Sequence, residues 1–195
     1  KSTLFNVLTG ELAHVANWPG TTVELKEGYR EHAGRRMRFV DLPGTYGISA
    51  VSLEEVVARE FIVHGEPDVV LALVDSTAPE RTLYLPIQIL ELTPRVVVAL
   101  TKMDAAHSLG VHVHVDKLEE RLGVPVVPVS AIRGTGIKEL LDALVAVAEG
   151  RRGRREPLRV DYGPLEPYIA EVEEAIRGSK GLSRYPARWA AVRLL

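Results

Sequence analysis

Four short groups of residues in this 195-residue chain carry side chains suited to phosphate and purine chemistry. Lys1-Ser2 stands directly before an amphipathic run, which places an ammonium and a hydroxyl at a helix N-terminus. Free backbone N–H groups and the helix dipole favour anions there. Such a lysine compensates β- and γ-phosphate charge, and such a serine ligates Mg²⁺. The pair matches the tail of a G-x-x-x-x-G-K-[ST] loop, although by itself it is equally an ordinary helix start. Further on, Val40-Asp41-Leu42-Pro43-Gly44 ends an apolar strand in Asp-x-x-Gly. An aspartate at a strand's C-terminal end can hold a Mg²⁺-bound water, and the glycine N–H can meet a γ-phosphate. A capped strand end with a turn glycine is the plain structural alternative.

Between these two groups, Asn17-Trp18-Pro19-Gly20-Thr21-Thr22-Val23-Glu24 is a polar loop long enough to fold over a ligand. A threonine in it can bind Mg²⁺ only while the γ-phosphate is present, which makes the loop a switch. The run Val96 to Leu100 then leads into Thr101-Lys102-Met103-Asp104. The lysine stem can lie over a purine, and the carboxylate can accept from the N1–H and N2–H₂ edge of guanine. Adenine lacks that donor pair and would leave the carboxylate desolvated without a partner. Ser130-Ala131 ends the last strand, where a backbone N–H can reach the guanine carbonyl. Each group is weak alone. Their joint order at successive strand ends is what a nucleotide site needs.

That order resembles the translation-factor-related P-loop GTPases. The wording of residues 17–24 and of Asp41-Leu42-Pro43-Gly44-Thr45-Tyr46-Gly47-Ile48 resembles the FeoB family of ferrous-iron transporters. Val74-Asp75-Ser76-Thr77, Glu80-Arg81-Thr82-Leu83-Tyr84-Leu85 and Pro186-Ala187-Arg188-Trp189 resemble it too, so the likeness covers essentially the whole chain. The resemblance implies GTP or GDP with Mg²⁺ as ligands. It implies that Lys1, Ser2 and Thr3 meet the phosphates, that Ser2 and Thr22 ligate Mg²⁺, and that Asp41 holds the ion through water. Gly44 would sense the γ-phosphate; Thr101, Lys102, Asp104, Ser130 and Ala131 would surround the base. Thr22, Gly44 and Thr45 are the residues it sets nearest the reacting phosphate. In that family the G domain is followed by a helical unit and then a membrane domain, so the implied role is regulation of iron uptake from the cytoplasmic side of the bacterial inner membrane.

Two departures qualify this. Thr101 replaces the commoner asparagine, and a hydroxyl makes fewer bonds than a carboxamide, so guanine selectivity is expected to weaken. Thr45 replaces the water-positioning glutamine, so hydrolysis is expected to be slow. K⁺ is a further candidate ion in some family members, but the residues that would bind it are not in this chain. A ribosome-assembly GTPase and a nucleotide-gated module with little hydrolysis are the alternatives. The first usually carries a basic, aromatic RNA-binding appendage, which Glu156–Leu195 lacks. His112 and His114 are expected to share a strand face, and with no carboxylate set beside them they are not assigned to iron.

The elements that position these groups follow from periodicity. Apolar runs alternate with helix-period segments, the pattern of a parallel sheet with crossover helices. Helices are expected at Thr3–Leu8, Leu53–Val63, Arg81–Leu92, Lys117–Leu122 and Ile137–Ala148, with Gly10 as a left-handed cap and Ser52/Glu55 as a capping box. Strands are expected at Val23–Arg30, Met37–Val40, Val69–Val74, Arg95–Leu100 and Val126–Val129, with a hairpin turning at Ala33-Gly34 that makes one edge antiparallel. The expected class is therefore α/β, a Ras-like P-loop NTPase over residues 1–150. A basic linker over 151–156 follows, and then a partial all-helical unit over 157–195, with helical patterns at Leu165–Ile176 and Pro186–Leu195. A net charge of -2 gives no global attraction to nucleic acid or anionic membrane. The absence of cysteine excludes disulfides and thiolate metal sites. No apolar run approaches the roughly 20 residues of a membrane span. The chain opens on Lys1 and closes within an apolar helical pattern, and it is expected to be a piece of a longer protein, with its own membrane domain, guanine nucleotide and further copies of itself in a homo-oligomer as candidate partners.

Overall fold

The computed structural model describes residues 1–10, 14–17, 23–49 and 52–195. Helix α1 spans Ser2–Thr9 and is followed by strands β1 His14–Asn17, β2 Glu24–His32 and β3 Arg35–Asp41. Helix α2 Leu53–His64, strand β4 Val70–Asp75, helices α3 Pro79–Thr82 and α4 Tyr84–Leu92, and strand β5 Val96–Thr101 come next. Helices α5 Met103–Ser108 and α6 Val115–Leu122, strand β6 Val126–Val129 and helix α7 Ile137–Ala148 complete the α/β part, and α8 Glu166–Ile176 and α9 Ala187–Leu194 follow.

Among the described residues the strands form two sheets. Strands β4, β5 and β6 are parallel in that order, as their unbroken apolar character demands, with all of Val96 to Leu100 buried. The antiparallel strands pair in the order β1-β2-β3. Strand β1 was not expected from the sequence; four residues beside a polar loop carry little periodic signal. The β2–β3 hairpin turns at Ala33-Gly34 as the sequence suggests, with φ of 49° and 72°. Positive φ at both residues matches the right-handed twist of the paired strands.

Helix α1 joins the sheets. Its Leu4 and Leu8 share a core with Val97, Ala99, Val127 and Val129 and with α7, while Met37 and Phe39 of β3 pack on the same cluster. Thr9 lies so close to β2 that a Cβ on Gly28 would stand 2.5 Å from its own, so this crossing requires glycine. Gly10 closes α1 with φ 72° but ψ 178°, an extended exit in place of the left-handed cap. Ser52 caps α2 as expected, accepting from Glu55 N at 3.2 Å.

The helix expected over Arg81–Leu92 is two helices that meet at Leu83. Thr82 Oγ1 donates to Ala78 O at 2.9 Å and accepts from Asp75 N at 3.1 Å, which turns α3 onto the end of β4. Helix α5 was missed because its six residues are too few to show a period. The segment of His112 and His114 is not a strand; His112 instead meets His107 edge-on at 5.2 Å.

The basic run after α7 is tied down. Arg151 and Arg152 N–H groups donate to Ala146 O, and Arg154 donates to Leu122 O at 3.2 Å. Cations there also complement the negative end of the α7 dipole. Beyond it, Trp189 and Ala190 of α9 enter the same core as Ile62, Val74 and Leu90. Tyr162 OH donates to Glu91 at 2.9 Å, and Tyr185 OH to Glu60 at 2.7 Å. Burial pushes the Tyr162 phenol up to about 12, and the adjoining Glu91 carboxylate adds to this. No helix among the described residues is long and apolar enough to cross a membrane.

Candidate functional site

Lys1 is the N-cap residue of α1, and its own side chain makes no capping bond to the helix. Ser2 and Thr3 follow in the first turn, both exposed. The Lys1 ammonium lies 3.1 Å from Asp41 Oδ1 and also donates to Leu42 O. Asp41 is the last residue of β3, with a side chain only 12% exposed. The structure thus brings together a helix N-terminus, an ammonium and a carboxylate from motifs far apart in sequence. Gly44 is exposed, with no other group among the described residues within 4 Å of where a Cβ would stand. Thr45 is half-buried. Thr22, with the threonine-loop residues 18–22, lies outside the described residues.

Downstream of Gly44, buried Gln88 accepts from Ile48 N at 3.0 Å and approaches Ser49 Oγ at 3.5 Å. Arg193 of α9 donates to the same Ser49 hydroxyl at 3.3 Å. The stretch after Asp-x-x-Gly is therefore held by the parallel unit on one side and by α9 on the other. Gln88 carried no signal in the sequence, since it falls inside an apolar helix.

At the opposite loops, the ends of β4 and β5 are laced together. Asp75 and Thr101 are register partners. Thr101 Oγ1 donates to Val74 O at 3.0 Å and Ser76 N donates to Thr101 O at 3.0 Å. Lys102 takes a left-handed backbone, φ 58°, and its ammonium reaches Asp75 Oδ2 at 2.6 Å. Asp75 Oδ1 also accepts from Thr77 N at 3.0 Å and Thr77 Oγ1 at 2.6 Å. Burial raises this carboxyl, but the bonds from Lys102 and Thr77 outweigh it and hold the group at about 2. The Ser76 hydroxyl is buried and has no hydrogen-bond partner among the described residues.

Asp104 stands in the first turn of α5, two residues beyond Lys102, with a side chain 40% exposed. Its carboxylate faces Arg133 Nη2 at 3.6 Å. Arg133 belongs to the loop that begins at Ser130-Ala131. Ser130 N donates to Thr135 O at 3.0 Å, and Ser130 Oγ accepts from Arg133 N at 3.3 Å. The loop closes at Gly136, φ 74°, where a Cβ would lie 2.0 Å from Pro128 O. Residues 101, 102, 104, 130, 131 and 133 therefore belong to two neighbouring strand ends, joined across the loops by Arg133. Asp75 and Arg133 were given no role in the sequence reading. An acidic residue at a strand end in register with the threonine of Thr-Lys-x-Asp is the signal for the first; nothing local marks the second.

Two cavities lie away from these loops. One of about 770 Å³ is lined by residues 113–116 with Glu119 and Glu120. Another of about 430 Å³ lies against the arginine-rich run after α7. No group of three His, Cys, Asp or Glu suited to a metal ion occurs among the described residues.

Against known proteins, the model of the family described as ferrous iron transport protein B matches residues 1–144. The Fe(2+) transporter FeoB of Methanocaldococcus jannaschii is 44% identical over 196 residues, covering 100% of this chain and 29% of the relative. A Fe(2+) transport protein A/Fe(2+) transporter FeoB fusion protein of Porphyromonas gingivalis is 38% identical, covering 100% of this chain and 24% of its own length. The chain thus spans about a quarter of the length of these relatives. Among solved structures, the cytosolic domain of the T. maritima FeoB iron transporter in GMPPNP form superposes with a TM-score of 0.91 at 38% identity, over 100% of this chain and 75% of that one.

Proposed function

The chain belongs to the ferrous iron transport protein B family, and from that premise we propose that it is a guanine-nucleotide switch that hydrolyses GTP slowly and governs ferrous-iron uptake through a membrane domain of the full-length protein. The observation that carries this reading is the convergence of Lys1 on Asp41 and the Leu42 carbonyl at the N-terminus of α1. The similarity to a cytosolic domain in GMPPNP form supports it, as does the second loop cluster, in which Lys102, Asp104 and Ser130 stand at adjoining strand ends. Residues 1–150 would be the G domain on the cytosolic side, 151–156 its connector, and 157–195 the first part of a helical unit.

In this reading the α1 N–H groups and Lys1 bind phosphates, and Lys1 exchanges Asp41 for the incoming anion. Mg²⁺ is a hard ion that takes oxygen donors. The Ser2 hydroxyl and the Asp41 carboxylate are such donors and fit it, with Thr22 as the third group; bound there, the ion would neutralise phosphate charge. Gly44 N–H reports the γ-phosphate, and the Gln88 and Arg193 bonds to residues 48 and 49 pass its position to α4 and α9. Thr45 has no carboxamide to orient water, which is the reason for slow turnover. Asp104 accepts from the guanine edge, Lys102 lies against the purine, and Thr101, Ser130 and Ala131 shape the loops around it.

Competition between GDP and ADP tests the base assignment: GDP is expected to bind at least about tenfold more tightly, and equal affinity would overturn it. Single-turnover phosphate release should be slow but measurable, and faster in K⁺ than in Na⁺ if the second cation participates. No release at all would leave a binding module.

A further inference from the structure

We infer that Asp75 is a positioning residue for the base site: it anchors the Lys102 ammonium so that the lysine stem becomes one fixed wall of the slot beside Asp104. The inference rests on the nucleotide reading above and adds a residue to it.

Three observations carry it. First, Asp75 and Lys102 meet because β4 and β5 are parallel with Asp75 opposite Thr101, so the residue after Thr101 emerges beside the carboxylate. The left-handed backbone at Lys102 reverses the chain at that point. A lysine accepts that conformation reluctantly, and it persists only where surrounding contacts determine it. The 2.6 Å ion pair and the strand-to-strand bonds of Thr101 and Ser76 are such contacts.

Second, Asp75 is itself immobilised. Its Oδ1 takes two bonds from Thr77, its backbone N–H is held by Thr82, and its side chain is only 24% exposed. It is an anchor and not a mobile counter-ion.

Third, the Lys102 side chain stays 62% exposed although its tip is bound. A lysine fixed at both ends with its stem open to solvent presents a strip of methylenes, the surface against which a purine face packs. A free lysine would lose its rotamer freedom when the base arrives. Here the bond to Asp75 already takes up that freedom. Asp104, two residues on, presents its carboxylate from the first turn of α5. The stem then meets the base face and the carboxylate its edge.

The test is a double-mutant cycle on this chain with Asp75→Asn, Lys102→Met and the pair, reading affinity for GDP and, separately, for inorganic pyrophosphate. Methionine keeps an apolar stem and removes the ammonium, so it no longer needs an anchor. Asparagine keeps an acceptor for Thr77, and thermal melts of each variant check the fold. Asp75→Asn should weaken GDP by about three- to fivefold in the unaltered background, leave pyrophosphate unchanged, and add nothing in the Lys102→Met background. An equal loss in both backgrounds, no loss in either, or a matching loss for pyrophosphate would overturn the inference while GDP binding stands. A chain that binds no GDP would overturn the nucleotide reading first, and this proposal with it.

Discussion

The two ends of the candidate site are built differently. At the phosphate end a short helix and an antiparallel strand end meet through the Lys1–Asp41 ion pair, with Ser2, Thr3 and Gly44 exposed around it. At the base end, parallel strands are joined beyond their register by Thr101, Ser76, Asp75 and Lys102, and the Ser130 loop is pinned at Gly136. The first arrangement leaves backbone donors and an ammonium available to trade partners when an anion arrives. The second is braced by bonds among its own residues. The proposed switch needs both: a fixed frame for the base and a phosphate end whose bonds can be exchanged.

The contrast can be broken at several points. The largest effect is expected at Gly136. A valine there meets Pro128 O and an unfavourable φ, and should lower stability by about 3 kcal/mol or more, read by chemical denaturation. A change within about 0.5 kcal/mol would show that the base loop is not rigid. Asp104→Ala would remove the two charge-assisted bonds proposed to guanine and should weaken GDP by about a hundredfold with little effect on the melt. Unchanged GDP affinity would move the base elsewhere. Lys1→Ala should cost about tenfold in GDP affinity, and the same factor for pyrophosphate, because it acts on phosphates alone.

Smaller effects sharpen the picture. Arg133→Ala frees the Asp104 carboxylate from an exposed competitor and should tighten GDP by about two- to threefold at low salt, an effect that fades as salt rises. Weaker binding would instead make Arg133 part of the bound state. Acid should reach the base end and the C-terminal helices by one route. Asp75 is held at about 2 against an ordinary 3.8, and Glu166, bonded by Arg188, at about 2 against 4.5. Depressed carboxylates stabilise the fold above their unfolded values and lose that stability as pH falls toward the folded ones. Melts should hold to about pH 4.5 and then decline toward pH 2, and Glu166→Gln should flatten the upper part of that decline.

Much of this was legible in the sequence because its causes are local. The buried run of β5 and the Ala33-Gly34 turn are set by side chains within a few residues of each other. The regular helix patterns at α1, α2 and α7 are as well. The break at Leu83 was not legible, because it depends on Thr82 meeting the end of β4. Strand β1 and helix α5 are too short to show a period.

The sequence by itself therefore determined the order of the motifs and their placement at element ends, since a lysine before a helix, or an aspartate closing an apolar strand, needs no distant partner to be recognised. Tertiary structure decided how those residues are held. Whether Lys102 faces Asp75, Asp104 faces Arg133 and Lys1 faces Asp41 depends on strand register and on the crossing of α1 over the sheets. Charge pairing acts over a few ångströms, and only the folded chain brings residues that are distant in sequence within that range.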